Sequence, residues 1–178
     1  MNKKLLLPVL LAVAAAVAWT AFEWFRPLNR VQRATYKLLE AAPKSAPGPD
    51  APLDLLRAVA PYRKYLAADV SAAVPNVYSL RGRQNALQAL EAFRQCSDVI
   101  WLDHPIVSAR PLSRDAIEVS VEVPFKIRLS RPYRSLTDGH RWDWTLHARL
   151  IWTRIPSSSP SWQITSVLIA PFRGEPLP

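Results

Sequence analysis

Two long segments in the carboxyl-terminal half alternate between apolar and polar residues, and this alternation constrains the fold more than any other feature of the sequence. Every second residue is apolar in residues 117–129, and residues 142–152 repeat the pattern with Trp142, Trp144 and Trp152 among the apolar side chains. Because successive side chains of a strand point to opposite faces, each segment predicts a long strand with one buried and one solvated face. The connection contains Asp138-Gly139, so the two strands are predicted to form an antiparallel hairpin.

Shorter apolar segments flank this hairpin and supply the rest of a domain. Residues 99–109 and 162–172 predict two outer strands, while residues 53–66 and 83–94 carry apolar side chains at helical spacing. Long strands twist and curl, so their apolar face needs helices to cover it. The sequence therefore predicts an α+β fold in which helices pack on a strongly curved antiparallel sheet.

The amino terminus is apolar enough to enter a membrane. A basic n-region, residues 1–4, precedes an uncharged run over residues 5–22, which as a helix is about 27 Å long. Aromatic side chains crowd the distal end of the run, as they do at a membrane interface. We predict a transmembrane signal anchor over residues 5–25. A cleaved signal peptide, with its small-x-small site at residues 16–18, is the alternative.

The orientation of this anchor follows less directly from charge. Basic residues on the two sides of the apolar run nearly balance, so the positive-inside rule does not decide the orientation. A basic pair followed at once by an apolar run resembles a bacterial Sec-type signal anchor, which implies a periplasmic or otherwise extracytoplasmic carboxyl-terminal domain. The single cysteine, Cys96, excludes an internal disulfide and does not identify the compartment.

Two spacers are predicted between the anchor and the domain. Residues 26–42 predict a juxtamembrane helix that lies on the membrane surface or extends the span. Residues 43–52 contain four prolines, which favour a stiff, extended linker. The predicted domain then occupies residues 53–178.

The order of these elements resembles a known family. Two amino-terminal helical pieces, a Gly82-Arg83 turn that opens a further helix, and a four-strand meander ending in Trp162-Gln163-Ile164 are similar to the nuclear transport factor 2-like superfamily. The resemblance covers residues 53–178 and implies a cone-shaped fold. In this superfamily the cone serves isomerases, dehydratases and cyclases, or non-enzymatic binding and assembly, so the fold alone does not identify the function.

Few residues fit a catalytic role inside such a cone. Glu118, Glu122 and Asp143 fall on the polar, solvated faces of the predicted hairpin, out of reach of a substrate inside the cone. The remaining weak candidates are Asp103 and His104 on the first outer strand, together with Tyr62 and Tyr65 on the helices. Adjacent strand residues point to opposite faces, so Asp103 and His104 both enter the cone only across an irregularity such as one at Pro105.

Bulky aromatic residues are predicted either to line a pocket in the cone or to fill it. A pocket for a flat hydrophobic ligand is one reading, and simple packing of a wide cone is the other. The predicted pocket-lining residues are Tyr62, Tyr65, Trp142, Trp144, Trp152 and Trp162. The three histidines lack the spacing of a metal site, and we expect neither a metal nor a cofactor.

The formal net charge is +9 at pH 7, which favours an anionic partner. The chain has neither a glycine-lysine loop nor a basic recognition helix, so nucleic acid is not expected. Beside an anchor, anionic phospholipid is the better electrostatic partner. The predicted lipid contacts are Arg26, Arg30, Arg33 and Lys37.

These observations favour a non-catalytic, membrane-anchored cone domain that binds a ligand or assembles with a protein at a bacterial-type membrane. The alternative is an isomerase or dehydratase-like enzyme acting on a hydrophobic substrate inside the cone, with Asp103 or His104 as base and a tyrosine as acid. A homodimer through the outer face of the sheet, or another membrane-complex partner, is compatible with either function.

Overall fold

A computed structural model describes residues 3–75, 77–130 and 142–170; the side chains of residues 3–12, 21, 23–25, 142 and 143 lie outside the description. The helices of the described part are α1 (Lys3–Ala41), α2 (Pro52–Tyr65) and α3 (Arg83–Gln95). Its strands are β1 (Leu66–Val74), β2 (Tyr78–Arg81), β3 (Ser97–Leu102), β4 (Ile106–Ser113), β5 (Ala116–Leu129), β6 (Trp142–Arg154) and β7 (Trp162–Ile169). The α+β class predicted from the sequence is confirmed.

The hairpin that the alternation predicts is present as β5 and β6. Its strands pair antiparallel, with Ile117 opposite Trp152 and Phe125 opposite Trp144. The apolar row of β5 is buried, and Val119 and Val123 are fully inaccessible. The register therefore directs the apolar side chains of both strands to one face, against which the helices pack.

The sheet differs from the predicted strongly curved antiparallel one, because it is mixed and uncurled. Its main strand order is β2-β1-β7-β6-β5-β3, and β1 runs parallel to β7, with Ala72 opposite Val167. β1 was not predicted from the sequence. It pairs with β7, and this is the one parallel pair among the described strands.

The first outer strand is interrupted where the sequence contains Asp103-His104-Pro105. β3 pairs with the last residues of β5 and β4 with its first residues, so both strands lie along the same edge of β5. His104 between them has a φ of 40°, a conformation that side chains with a Cβ rarely adopt. The predicted single strand over residues 99–109 is thus two strands joined by a tight irregularity.

The second half of α1 belongs to the hydrophobic core. Val31, Ala34, Thr35 and Leu38 recur at spacings of three and four residues, and all four are buried against β4, β5 and α2. This stripe explains why residues 26–42, predicted as a juxtamembrane helix, lie on the sheet. The folded unit therefore begins within α1, upstream of the predicted boundary.

The predicted transmembrane segment, residues 5–25, forms the first part of the same continuous helix. Within the described residues, no helix is both long enough and apolar enough to cross a bilayer.

The proline-rich segment after α1 is held on the domain by a buried ionic cluster. Lys44 and Arg94 are each 5% exposed and both contact Asp50: Arg94 Nε lies 2.7 Å from Asp50 Oδ2, and Lys44 Nζ lies 3.4 Å from Oδ1. Lys44 also pairs with Ile100 as an isolated bridge, through two backbone hydrogen bonds of 2.8 Å. The predicted linker is therefore attached to β3 and α3.

Arg94 also completes the end of α1. Its Nη1 donates to the carbonyl oxygens of Ala42, at 2.7 Å, and Ala41, at 3.4 Å. The last carbonyls of a helix have no intrahelical partner and carry partial negative charge. A guanidinium from α3 therefore caps α1, whose own last turn contains no basic residue.

We predict that Arg94→Met lowers the free energy of unfolding by about 3–5 kcal/mol, because it leaves Asp50 and the α1 carbonyls buried without their main donor. Denaturant unfolding followed by tryptophan fluorescence measures the change. The control is Arg57→Met, which removes an ion pair between two exposed side chains, Arg57 at 80% and Asp54 at 65%. We expect this variant to lose about 0–1 kcal/mol of unfolding free energy. Equal losses in the two variants would contradict the role given to the cluster.

Tyr62 links α2 to the same end of α1. Its hydroxyl donates to the Leu38 carbonyl oxygen at 2.7 Å. Burial raises the pKa of the phenol well above its usual range, and the positive charge of Arg94 offsets part of that rise. Since the folded protein favours the neutral phenol, the associated stability is complete below about pH 10 and is lost as the pH rises above it.

For Tyr62→Phe we expect a loss of about 1 kcal/mol near neutral pH, from the missing hydrogen bond. The stability difference from the wild type should shrink at about pH 11, because ionisation of this phenol in the unfolded state lowers the free energy of unfolding of the wild type alone. Denaturant titrations at the two pH values test this, with Tyr78→Phe, a ring that is 57% exposed, as the control. A difference that grows with pH would refute the assignment.

Candidate functional site

Trp152 lies in the interior between the helices and the sheet. This side chain is fully inaccessible, and the ring of Tyr65 meets it edge-on, with centroids 5.5 Å apart. Val59, Val70 and Ile164 belong to the same buried cluster. Tyr65 and Trp152, which were predicted to line or fill a pocket, therefore pack against each other in the core.

The other predicted pocket residues do not converge on Trp152. Trp144 lies in a second cluster, where its ring centroid is 4.9 Å from that of Phe125. Trp162 is buried in the main cluster but also borders a cleft on the outside of the domain. The side chain of Trp142 lies outside the described residues. The structure thus distributes the tryptophans over several places.

Asp103 and His104 lie at the irregularity between β3 and β4, on the surface. The His104 side chain is 95% exposed and that of Asp103 is 39% exposed, with Nε2 and Oδ1 3.3 Å apart. The irregularity expected near Pro105 is present, but it directs His104 to solvent. A base that acts on a substrate inside the cone would have to face the buried cluster.

The two tyrosines are also committed to structural contacts. The hydroxyl proton of Tyr62 is donated to Leu38, and the raised pKa of the phenol keeps it protonated. Tyr65 contacts Trp152 through its ring, and Lys64 Nζ lies 5.5 Å from its centroid. Neither arrangement places a transferable proton beside a carboxylate.

Glu118 corrects the expectation that the acids of the hairpin are solvated. It is 7% exposed, and its Oε1 accepts a hydrogen bond of 2.7 Å from Arg110 Nε, while Arg149 Nε lies 3.7 Å from Oε2. The hydrogen bond and charge of Glu118 raise the pKa of Arg110. Two arginines on neighbouring strands therefore contact this carboxylate on the polar face of the sheet.

In the described part of the chain, no three His, Cys, Asp or Glu side chains lie close enough together to hold an ion.

A basic cleft lies where α1 crosses the strand ends, and it is the best candidate site. Its arginines come from separate elements: Arg26 and Arg30 from α1, Arg114 from the β4–β5 turn and Arg154 from the end of β6. All four are exposed, and no carboxylate is among the lining residues that the structure describes. The cleft has a volume of about 660 Å³.

One wall of the basic cleft is apolar. Trp162 and Ile117 form its floor and are mostly buried, whereas Trp19 at its edge is 67% exposed. Arg154 Nη1 lies 3.9 Å from Asp115 Oδ1, and both side chains are about half exposed or more. The basic cleft therefore combines several guanidinium groups with aromatic surface, a combination that suits an anionic group attached to an apolar one.

Only part of the predicted lipid-contact set reaches this cleft. Arg33 and Lys37 are exposed on α1 and are not among its lining residues. Arg114 and Arg154 line it but were not predicted. One feature of the sequence could have predicted that Arg114 and Arg154 lie close together, namely the pairing of the two long strands. An antiparallel hairpin places the start of its first strand beside the end of its second strand.

Comparisons with known proteins identify the fold. No protein-family model and no curated protein sequence matches the chain. A ketosteroid isomerase-like protein from Erwinia carotovora atroseptica is 13% identical with a TM-score of 0.56, covering 82% of this chain and 95% of that one.

Two further solved structures are similar. A dehydratase candidate of the nuclear transport factor 2-like family from Streptomyces avermitilis is 16% identical with a TM-score of 0.56, at 82% and 95% coverage of the two chains. A nuclear transport factor 2-like protein with a cystatin-like fold from Novosphingobium aromaticivorans is 13% identical with a TM-score of 0.53, at 92% and 90% coverage. The helices on a mixed sheet and these similarities together show that the chain has the nuclear transport factor 2-like fold, as the sequence resemblance implied.

Proposed function

We propose that this chain is a non-catalytic binding module that works at a membrane. The observation that carries the proposal is the junction, at one end of the domain, of an exposed apolar helix and the basic cleft. The first half of α1 would enter the lipid, and the domain would bind its partner at the membrane surface.

The placement of the candidate catalytic groups supports the non-catalytic part of this proposal. His104 is directed to solvent, Tyr62 is bonded to a backbone carbonyl, and Glu118 is neutralised by arginines. A general acid and base must lie within hydrogen-bond reach of one substrate position. In the described residues these groups lie on different surfaces.

The exposure of α1 supports the membrane part. Residues 13–20 are all exposed, and Val13, Val17, Trp19 and Phe22 are each more than half exposed. An apolar helix without a polar face is stable in lipid or against another protein, but not in water. Arg26 follows this apolar stretch and stacks over Phe22 at 5.0 Å, as basic and aromatic residues do at a membrane interface.

We predict that Val13→Glu with Val17→Glu moves the full chain from the membrane fraction to the soluble or aggregated fraction after an alkaline carbonate wash. Each charge near the centre of an inserted helix costs about 2.5–3.5 kcal/mol. The matched control, Val77→Glu, changes a valine that is 69% exposed in the β1–β2 turn and should stay with the membranes. Retention of the double variant in the membrane fraction would contradict the proposal.

The side of the membrane on which the domain lies is tested separately. We propose an extracytoplasmic domain, and alkaline phosphatase fused after Pro178 should then be active. Activity of a cytoplasmic reporter at the same position, with an inactive phosphatase, would show the opposite orientation.

An isomerase or dehydratase-like enzyme is the second candidate, because similar solved structures carry such descriptions. The test is the conversion of a β,γ-unsaturated ketosteroid to its conjugated isomer, followed by absorbance. We expect no conversion above the rate in buffer. Conversion by the wild type that Asp103→Asn or His104→Ala abolishes would favour the enzyme and overturn our proposal.

A further inference from the structure

The basic cleft gathers like charges from parts of the chain that are far apart in sequence. Arg30 and Arg114 are separated by nearly half of the chain, yet both line the same space as Arg26 and Arg154. Asp115 faces Arg154 at 3.9 Å, and together the four guanidinium groups give this space a positive potential that attracts anions. The arrangement therefore favours a bound anion.

The kind of donor indicates the kind of anion. A guanidinium presents its N–H groups in a planar fork that matches two oxygens of a phosphate, and several such groups can surround one phosphate. The hydroxyl groups of Ser113 and Ser161 also border the cleft and offer further hydrogen-bond partners. This set suits a phosphate better than a single carboxylate.

The apolar wall indicates what the phosphate is attached to. Trp19, Leu28 and Trp162 line the same cleft, and a volume of about 660 Å³ exceeds what a bare inorganic ion needs. Trp19 also belongs to the exposed apolar stretch of α1, so the cleft opens beside the surface that would enter the lipid. A ligand that crosses this boundary has a phosphate at one end and a hydrocarbon at the other.

We propose that the basic cleft binds the phosphate of an anionic phospholipid headgroup, with the glycerol backbone against Trp19 and Trp162. This inference rests on the proposed function, since α1 in a bilayer brings the cleft to the headgroup layer. It adds two residues, Arg114 and Arg154, to the surface that contacts the lipid. The phosphate specifies the ligand class, and the apolar wall favours a phosphate attached to a hydrocarbon over a free ion.

The test is a titration of the full chain in neutral detergent micelles with a short-chain phosphatidylglycerol, followed by tryptophan fluorescence. Short-chain phosphatidylcholine, inorganic phosphate and a single-stranded oligonucleotide are the comparison ligands. We expect saturable binding of phosphatidylglycerol, with weaker binding of the other three. Equal binding of phosphatidylcholine, or tighter binding of inorganic phosphate or the oligonucleotide, would overturn the assignment.

The variant Arg114→Gln with Arg154→Gln should weaken phosphatidylglycerol binding about 30-fold, because each arginine near an anionic lipid surface contributes a factor of about five to six. The matched control, Arg63→Gln with Arg81→Gln, removes the same charge from exposed residues outside the cleft and should bind as the wild type does. All four side chains are exposed, so both variants should unfold at the wild-type denaturant midpoint. Equal weakening in the two variants would show a general charge effect and refute the site.

The titration and the membrane fractionation test different claims, so either one can fail while the other succeeds. Micelles keep the helix in solution whether or not it inserts into a bilayer. Lipid selectivity retained by a chain that does not fractionate with membranes would contradict the proposed function. Loss of selectivity in a chain that does fractionate with membranes would contradict the cleft assignment alone.

Discussion

The buried contact of Arg94 with Asp50 and the end of α1 determines how the amino-terminal half of the molecule meets the sheet. Lys44 and Asp50 lie in the segment after α1, and Arg94 on α3 binds both Asp50 and the last carbonyls of the helix. The direction in which α1 leaves the domain follows from this cluster and from the buried stripe around Val31. The position of Arg26 and Arg30 over the strand ends therefore depends on charges at the far end of the same helix.

The parts of the fold that follow from local pattern could be predicted, and those that depend on distant partners could not. β5 and β6 were predictable because their side chains alternate over many residues. β1 was missed because Ala67, Ala68, Ala72 and Ala73 give little strand preference, and its partner β7 lies about a hundred residues away. The core position of α1 was missed because an apolar helix stripe fits a sheet and a membrane surface equally well.

The residues of the candidate site also divide into those that could be predicted from the sequence and those that could not. Arg26 and Arg30 could be predicted as contacts to an anionic surface from their place just after an apolar run. Arg114 and Arg154 join them because Ala116 pairs with Thr153, a contact between the two ends of a hairpin. Conversely, Asp103 and His104 were candidate catalytic residues because they are neighbours in sequence. In the structure the backbone at His104 directs its ring to solvent.

The parallel pairing of β1 with β7 has a consequence for the order of events on the ribosome. β7 lies between β1 and β6, so it joins the early β1–β2 hairpin to the rest of the sheet. During translation the β1–β2 hairpin and the strands β3 to β6 emerge before β7, which then closes the gap between them. Contacts of such high sequence separation slow folding, and a nascent chain of this kind leaves the facing edges of β1 and β6 exposed until β7 has been synthesised.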